Sequence, residues 1–243
     1  ENLCANAATR ILHGYMGDVY VNEKVTLHMI VRDEALFVRF ALLSVAPYVG
    51  RSIVYVDSRS RDQTRDIVRQ VQQEVSTIEV SEKAIDERYF GKWRDMQIRE
   101  TKTPFFMIMD GDHVVTLANL RNILRWTLDG ALPEDKCCVR AGQYIWFYGD
   151  RFHTCDCSGG GMAPLYRMTW HRLPCRCLPR PIGEERCTYG DLPWDESRVL
   201  TDPEISVYHY SWIQKPARTG YRATRPVSNI RPFMGPQPEV FDD

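Results

Sequence analysis

Apolar positions along the first half of the chain fall into short runs separated by amphipathic stretches. Val25–Val31 (VTLHMIV) is apolar and partly β-branched, which predicts a strand buried on both faces. Asp33 and Glu34 then open a helical stretch from Ala35 to Val45, with Phe37, Phe40, Ala41 and Leu43 on its apolar side, and Pro47 ends it. The same alternation repeats down the chain. Ser52–Val56 predicts a strand ending at Asp57, and a polar loop (SRSRDQT) leads to a helix over Arg65–Glu74. Thr77–Val80 predicts a short strand, and Lys92–Glu100 a helix. Pro104–Met109 (PFFMIM) predicts an apolar strand ending at Asp110, and Leu117–Leu128 a further helix.

Alternating strands and helices predict an α/β fold, a mainly parallel sheet covered by helices on both faces. In such sheets ligands sit beyond the carboxyl ends of the strands. Three predicted strands end on polar clusters there: Arg32-Asp33-Glu34, Asp57-Ser58 and Asp110-Gly111-Asp112. All three are expected to meet in one crevice.

The second half has a different pattern. Cys137–Tyr148 predicts a long strand, Ser158–Gly161 a flexible turn, Met162–Met168 a strand and Ile205–Trp212 a late strand. Residues 172–198, rich in Pro, Cys and Arg, predict irregular structure. The tail after Pro216 has no helical period and is expected to wrap the surface.

Composition adds limits. At 243 residues, 44% hydrophobic and 26% charged, the chain suits one domain with a sizeable core. It divides into 25–130, 131–215 and a basic, Pro-rich tail over 216–243. The formal net charge of −1 gives no overall field toward nucleic acid or anionic membrane. Lys215, Arg218, Arg222, Arg225 and Arg231 form a run without acids, read as a solvated face or as a grip on a phosphorylated ligand. No apolar run approaches the ~18–20 residues that span a bilayer, so a soluble, cytoplasmic protein is expected. The chain starts at Glu1 rather than Met, and a trimmed leader or anchor stays open.

Of eight cysteines, Cys137 and Cys138 are read as core residues, and five lie between 155 and 187. Three states are open for these: free thiols, disulfides, or a structural zinc site of Cys155, Cys157, Cys175 and Cys177, with His153 or His171 as substitutes. The Cys-x-Cys spacing is tighter than the Cys-x-x-Cys of zinc ribbons.

Asp110-Gly111-Asp112 carries the sharpest chemistry. A buried strand fixes the loop, and glycine lets a ligand approach the backbone. Two carboxylates one residue apart can hold one hard cation and leave positions open for phosphate oxygens.

With these stretches in view, the sequence resembles the glycosyltransferase family 2 group with the GT-A fold. The likeness rests on LHMIVRDEALFVRFALLSV, IVYVDSRSRDQT, KWRDMQIRETKTPFFMIMDGD and SGGGMAPLYRM, in matching order and spacing. It implies a hexosyltransferase using a nucleotide-sugar donor, of the UDP type, with Mn²⁺ or Mg²⁺. Asp57 would then accept a base N–H, and Arg32 and Glu34 would flank base and ribose. Arg94 would approach the diphosphate, Asp110 would lie near ribose and metal, and Asp112 would be the direct metal ligand. Asp95 stands where the family more often has asparagine. His209, in the late strand, is a candidate metal ligand, and the alternative for it is a satisfied core histidine.

An inverting transfer needs a carboxylate to take the acceptor proton. Candidates are Glu184, Glu185, Asp191 and Asp195; Asp191 is preferred, because Pro193-Trp194 beside it suits a sugar platform. The acceptor is open among a glycan, a lipid-linked sugar, a protein and a modified DNA base. Two other classes compete: a nucleotidyltransferase on a related fold, and a non-catalytic nucleotide-sugar-binding module. The absence of a glycine-rich loop at Arg32-Asp33-Glu34 argues against the nucleotidyltransferase.

Overall fold

The computed structural model describes residues 21–128, 131–148, 151–156, 168–172, 176–177, 187–188, 196–209 and 231–232. Strand β1 (Asn22–Val31) lies at the centre of a mixed sheet, between β2 (Val49–Asp57) and β4 (Phe105–Asp110). β3 (Ile78–Lys83) extends the sheet beyond β2. These four strands are all parallel, with Val31 opposite Val56, Ile30 opposite Asp110, and Asp57 opposite Lys83. The three polar strand ends therefore lie side by side, as the pattern predicts.

Period-two alternation sorts the strand side chains onto two faces. Val25, Leu27, Met29 and Val31 of β1, with Val54 and Val56 of β2, pack against helices α1 (Val38–Leu43), α2 (Thr64–Glu74) and α4 (Leu117–Arg125). Ile30, Ile53 and Tyr55 face the other way, onto Phe90, Trp93 and Met96 of helix α3 (Phe90–Glu100). Helices thus cover both faces, and each fully buried aliphatic side chain contributes about 1.5–3 kcal/mol of transfer free energy.

The first helix begins later than its apolar pattern suggests. Asp33 adopts φ 56°, and the N–H groups of Phe37 and Val38 both donate to the Glu34 carbonyl, closing a turn. The backbone N–H groups of Glu34 and Ala35 donate instead to Thr64 Oγ1 at 2.7 Å and Asp62 Oδ2 at 3.0 Å. Residues 33–37 are pinned to the start of α2, which takes them out of the helix.

Beyond β4 the sheet turns mixed. β8 (Met168–Arg172) pairs antiparallel with β4 and with the start of β6 (Cys138–Tyr148). β6 pairs antiparallel with β7 (Arg151–Asp156) and parallel with β11 (Val199–His209). The short β5 (His113–Val114) joins β11, and β12 (Arg231–Pro232) joins β7. Two short strands, β9 (Arg176–Cys177) and β10 (Cys187–Thr188), pair inside the stretch read from sequence as irregular. The late strand starts at Val199 rather than Ile205. Its apolar pattern is broken by Asp202, Pro203 and Glu204, where the ladder has a register shift. The strand expected over Met162–Met168 lies outside the described residues, except for Met168 in β8. Cys137 and Cys138 are buried free thiols, as core residues should be. Among the described residues no helix is long and apolar enough to cross a membrane.

Candidate active site at the carboxyl ends of the central strands

The end of β4 turns sharply through Gly111. A Cβ there would lie 2.7 Å from Val31 Cγ1 and 3.0 Å from Glu34 Cγ. The turn therefore sits directly on the end of β1, and only glycine fits without movement. This contact brings Glu34 and the two aspartates together.

Asp110, Asp112 and His113 each offer one ligand atom, and these atoms all lie within 4.8 Å of one another. It is the one such cluster among the described residues, and it fits a divalent cation. Two carboxylates suit a hard ion, and the imidazole is common in Mn²⁺ and Zn²⁺ sites. Asp112 and His113 are buried, and Asp110 is partly open. The Asp110 N–H points to His113 Nδ1 at 3.4 Å. His113 was not singled out from the sequence. Its one available signal is its place directly after Asp-Gly-Asp.

The backbone of β11 pairs with β5 so that His209 lies opposite His113. The position named from the sequence thus comes to the strand that carries the cluster. Asp202, 2% exposed, anchors β11 to α4 by accepting from Arg125 Nη2 at 2.9 Å and Trp126 Nε1 at 2.7 Å.

Arg94 is buried on α3, at 3% exposure. Its Nη2 donates to Asp110 Oδ1 at 3.0 Å and its Nη1 to Gln97 Oε1 at 3.3 Å, while the guanidinium lies 5.3 Å from the Phe90 ring centroid. Gln97, fully buried, donates through Nε2 to the carbonyls of Met29 and Ile53, each at 2.9 Å. A polar relay thus runs from the β1 and β2 backbones through Gln97 and Arg94 to Asp110. Sequence reading found Arg94 and missed Gln97, which sits one helical turn after it. Asp95 pairs with Arg99 Nε at 2.9 Å, an i,i+4 contact on the same helix.

Asp57 ends β2 with its carboxylate ion-paired to Arg59 at 2.8 Å and Arg32 at 3.4 Å. Arg32 also pairs with Glu87. Asp33 Oδ1 accepts the Arg61 N–H at 2.7 Å, tying the first loop to the second.

Glu184, Glu185, Asp191 and Asp195 lie outside the described residues. Of the suggested zinc ligands, Cys157 and Cys175 also lie outside them. Cys155 is on β7, and Cys177 is on β9 with its backbone opposite Cys187.

Residues 26–131 match the family model described as Glycosyl transferase family 2, and the resemblance drawn from the sequence holds for this stretch. No curated protein matches the chain. A mannosyltransferase of Pyrobaculum calidifontis, PcManGT, solved with GDP-Man and Mn²⁺, is similar at 15% identity and TM-score 0.50, covering 90% of this chain and 65% of that one. TarS of S. aureus, as residues 1–349, is similar at 16% identity and TM-score 0.46, covering 61% and 47%. Glucosyl-3-phosphoglycerate synthase of Mycobacterium tuberculosis, solved with Mn²⁺, UDP and glucosyl-3-phosphoglycerate, is similar at 16% identity and TM-score 0.39, covering 50% and 44%. The chain spans less than two thirds of each of these solved chains. At these identities the likeness to the mannosyltransferase shows a shared fold.

Proposed function

We infer that this chain, whose residues 26–131 fit the glycosyl transferase family 2 model, is a metal-dependent glycosyltransferase. It moves a hexose from a nucleoside-diphosphate sugar, of the UDP type, to an acceptor hydroxyl. One observation carries the reading: Asp110, Asp112 and His113 cluster at the sheet's ligand-binding edge, beside a buried arginine. The relatives solved with Mn²⁺ and UDP or GDP-Man support the same chemistry.

Asp110 and Asp112 would hold the cation, with His113 and the late-strand His209 as further ligands. A divalent cation there supplies positive charge against the charge that grows on a departing diphosphate. Arg94, held by Gln97 and Asp110, is placed to add a fixed guanidinium to the same phosphates, and such preorganised charge is effective because it needs no reorganisation during reaction. Arg32, Glu34 and Asp57 surround the base and ribose end.

In an inverting transfer, the acceptor oxygen forms a bond to the anomeric carbon as the bond from that carbon to the diphosphate oxygen breaks. The acceptor proton passes to a carboxylate, for which Asp191, Asp195 and Glu185 are the candidates. Residues 25–130 form the donor half and 131–215 the acceptor half of one GT-A domain, with the basic tail over 216–243. The acceptor class is a glycan, a lipid-linked sugar, a protein or, less in keeping with a net charge of −1, a modified DNA base.

The test is thermal unfolding with UDP, with and without Mn²⁺, on the wild type and Asp112→Asn, followed by donor hydrolysis across a panel of nucleotide sugars. UDP should raise the melting temperature only with Mn²⁺, and Asp112→Asn should abolish the rise. An Asp112→Asn protein that keeps the wild-type metal dependence refutes the assignment.

A further inference from the structure

At the end of β2 the acceptor capacity of Asp57 is already used. The residue is 1% exposed. Its Oδ1 accepts the Arg59 backbone N–H at 3.0 Å and Arg59 Nε at 3.1 Å. Its Oδ2 accepts Arg59 Nη2 at 2.8 Å and Arg32 Nη1 at 3.4 Å. An ionised carboxylate has about four lone-pair sites, and these four contacts fill them. A further N–H from a nucleobase finds no site unless a guanidinium leaves.

Arg59 is the harder of the two to displace. Its bidentate fork is the strong form of charge-assisted pair, and its Nη2 also donates to the Ile85 carbonyl. Its side chain is nonetheless 53% exposed, and its Nη1 amino group takes part in none of these contacts. Arg32 is held separately through Nη2 by Glu87. The end of β2 therefore presents guanidinium donors where a bare aspartate would present an acceptor.

We propose that Arg59 is a specificity-determining residue, selecting a nucleobase with a ring carbonyl at its pairing edge, such as uracil, over the near-isosteric amino-bearing cytosine. The proposal rests on the nucleotide-sugar reading above and adds base selection to it. Uracil and cytosine differ at ring carbon 4, where a carbonyl oxygen is exchanged for an amino group. A guanidinium donor satisfies the carbonyl. Against the amino group it sets donor to donor, and the saturated Asp57 offers that amino group no acceptor. Such a mismatch leaves polar groups unpaired, which is the strongest way for a site to reject an analogue. Asp57 serves here as a positioning residue that orients Arg59. Removing the Arg59 side chain would release acceptor sites on both carboxylate oxygens and reverse the polarity of the pocket.

The test is calorimetric titration of UDP and of CDP, with Mn²⁺ present, into the wild type, Arg59→Met and Arg59→Lys. Methionine keeps much of the aliphatic stem at a half-exposed position, and lysine keeps the charge but not the fork. The wild type should bind UDP on the order of tenfold more tightly than CDP, Arg59→Met should bring the two within about twofold or invert them, and Arg59→Lys should fall between. The change should come mainly from tighter CDP binding. Equal affinities in the wild type, or an undiminished UDP preference in Arg59→Met, overturn the proposal while leaving the glycosyltransferase reading in place. A wild type that binds neither nucleotide with Mn²⁺ overturns both.

Discussion

Gly111→Ala tests the geometry that holds the candidate metal site. The added methyl would stand 2.7 Å from Val31 Cγ1, 3.0 Å from Glu34 Cγ and 3.2 Å from Glu34 Cβ, against an optimal carbon–carbon separation of about 3.5–4.0 Å. Val31 is 1% exposed and sits on the central strand with neighbours on both sides, so it cannot retreat. The Asp110–Asp112 turn must move by several tenths of an ångström or more. Overpacking of this kind costs about 1–3 kcal/mol. For a domain of this size each kcal/mol lowers the melting temperature by about 2–4 °C, so the expected loss is about 2–12 °C. The same movement should weaken the stabilisation by UDP with Mn²⁺, because it separates Asp112 from Asp110. Differential scanning calorimetry with and without both ligands reads the two effects. Val31→Ala removes the clashing methyl, so the double variant should be more stable than the sum of the single changes predicts, by about 0.5–3 kcal/mol. An alanine variant that melts with the wild type and responds equally to UDP and Mn²⁺ would refute the reasoning, as would strict additivity in the double variant.

Two further outcomes follow from the buried relay and the sheet edge. Gln97→Leu removes both bonds to the Met29 and Ile53 carbonyls and the acceptor for Arg94; it should lower the denaturant midpoint by about 1–3 kcal/mol at an unchanged slope, and an unaltered midpoint would count against the relay. The Arg51 guanidinium, chiefly through its hydrogen bonds, holds the Glu79 carboxyl below its ordinary value of 4.5. A depressed folded value means that the pair contributes stability above that ordinary value and loses it as pH falls through the lowered one. The pair is exposed, so the effect is under about 1 kcal/mol. Glu79→Gln should flatten the acid limb of melting temperature against pH, and an identical acid limb would show that the pair contributes nothing.

The central strands were legible because burial on both faces leaves near-continuous apolar runs, as in Val25–Val31 and Pro104–Met109. Their polar ends then located Arg32, Glu34, Asp57, Asp110 and Asp112 together. Gln97 and Arg59 carry no such pattern. Gln97 looks like any helix glutamine until α3 packs against the backbones of β1 and β2. Arg59 looks like any loop cation until its guanidinium folds back on Asp57. His113 was masked by the apolar residues after it, and its pairing with β11 joins segments roughly ninety residues apart, a separation that local periodicity does not encode. The parallel pairing of β6 with β11 is invisible to local pattern for the same reason.

The Asp202 contacts to Arg125 and Trp126 bear on how this protein can be re-engineered. They rivet a late strand to the last helix of the early half, so that strand is registered by the scaffold and not by the connections leading to it. Loop transplants between Asp156 and Met168, or across 178–186, can therefore exchange one acceptor-facing surface for another while the rivet stays put. A swap that cuts through 199–204 would instead unfasten His209 from its place opposite His113, and would have to rebuild the anchor along with the graft.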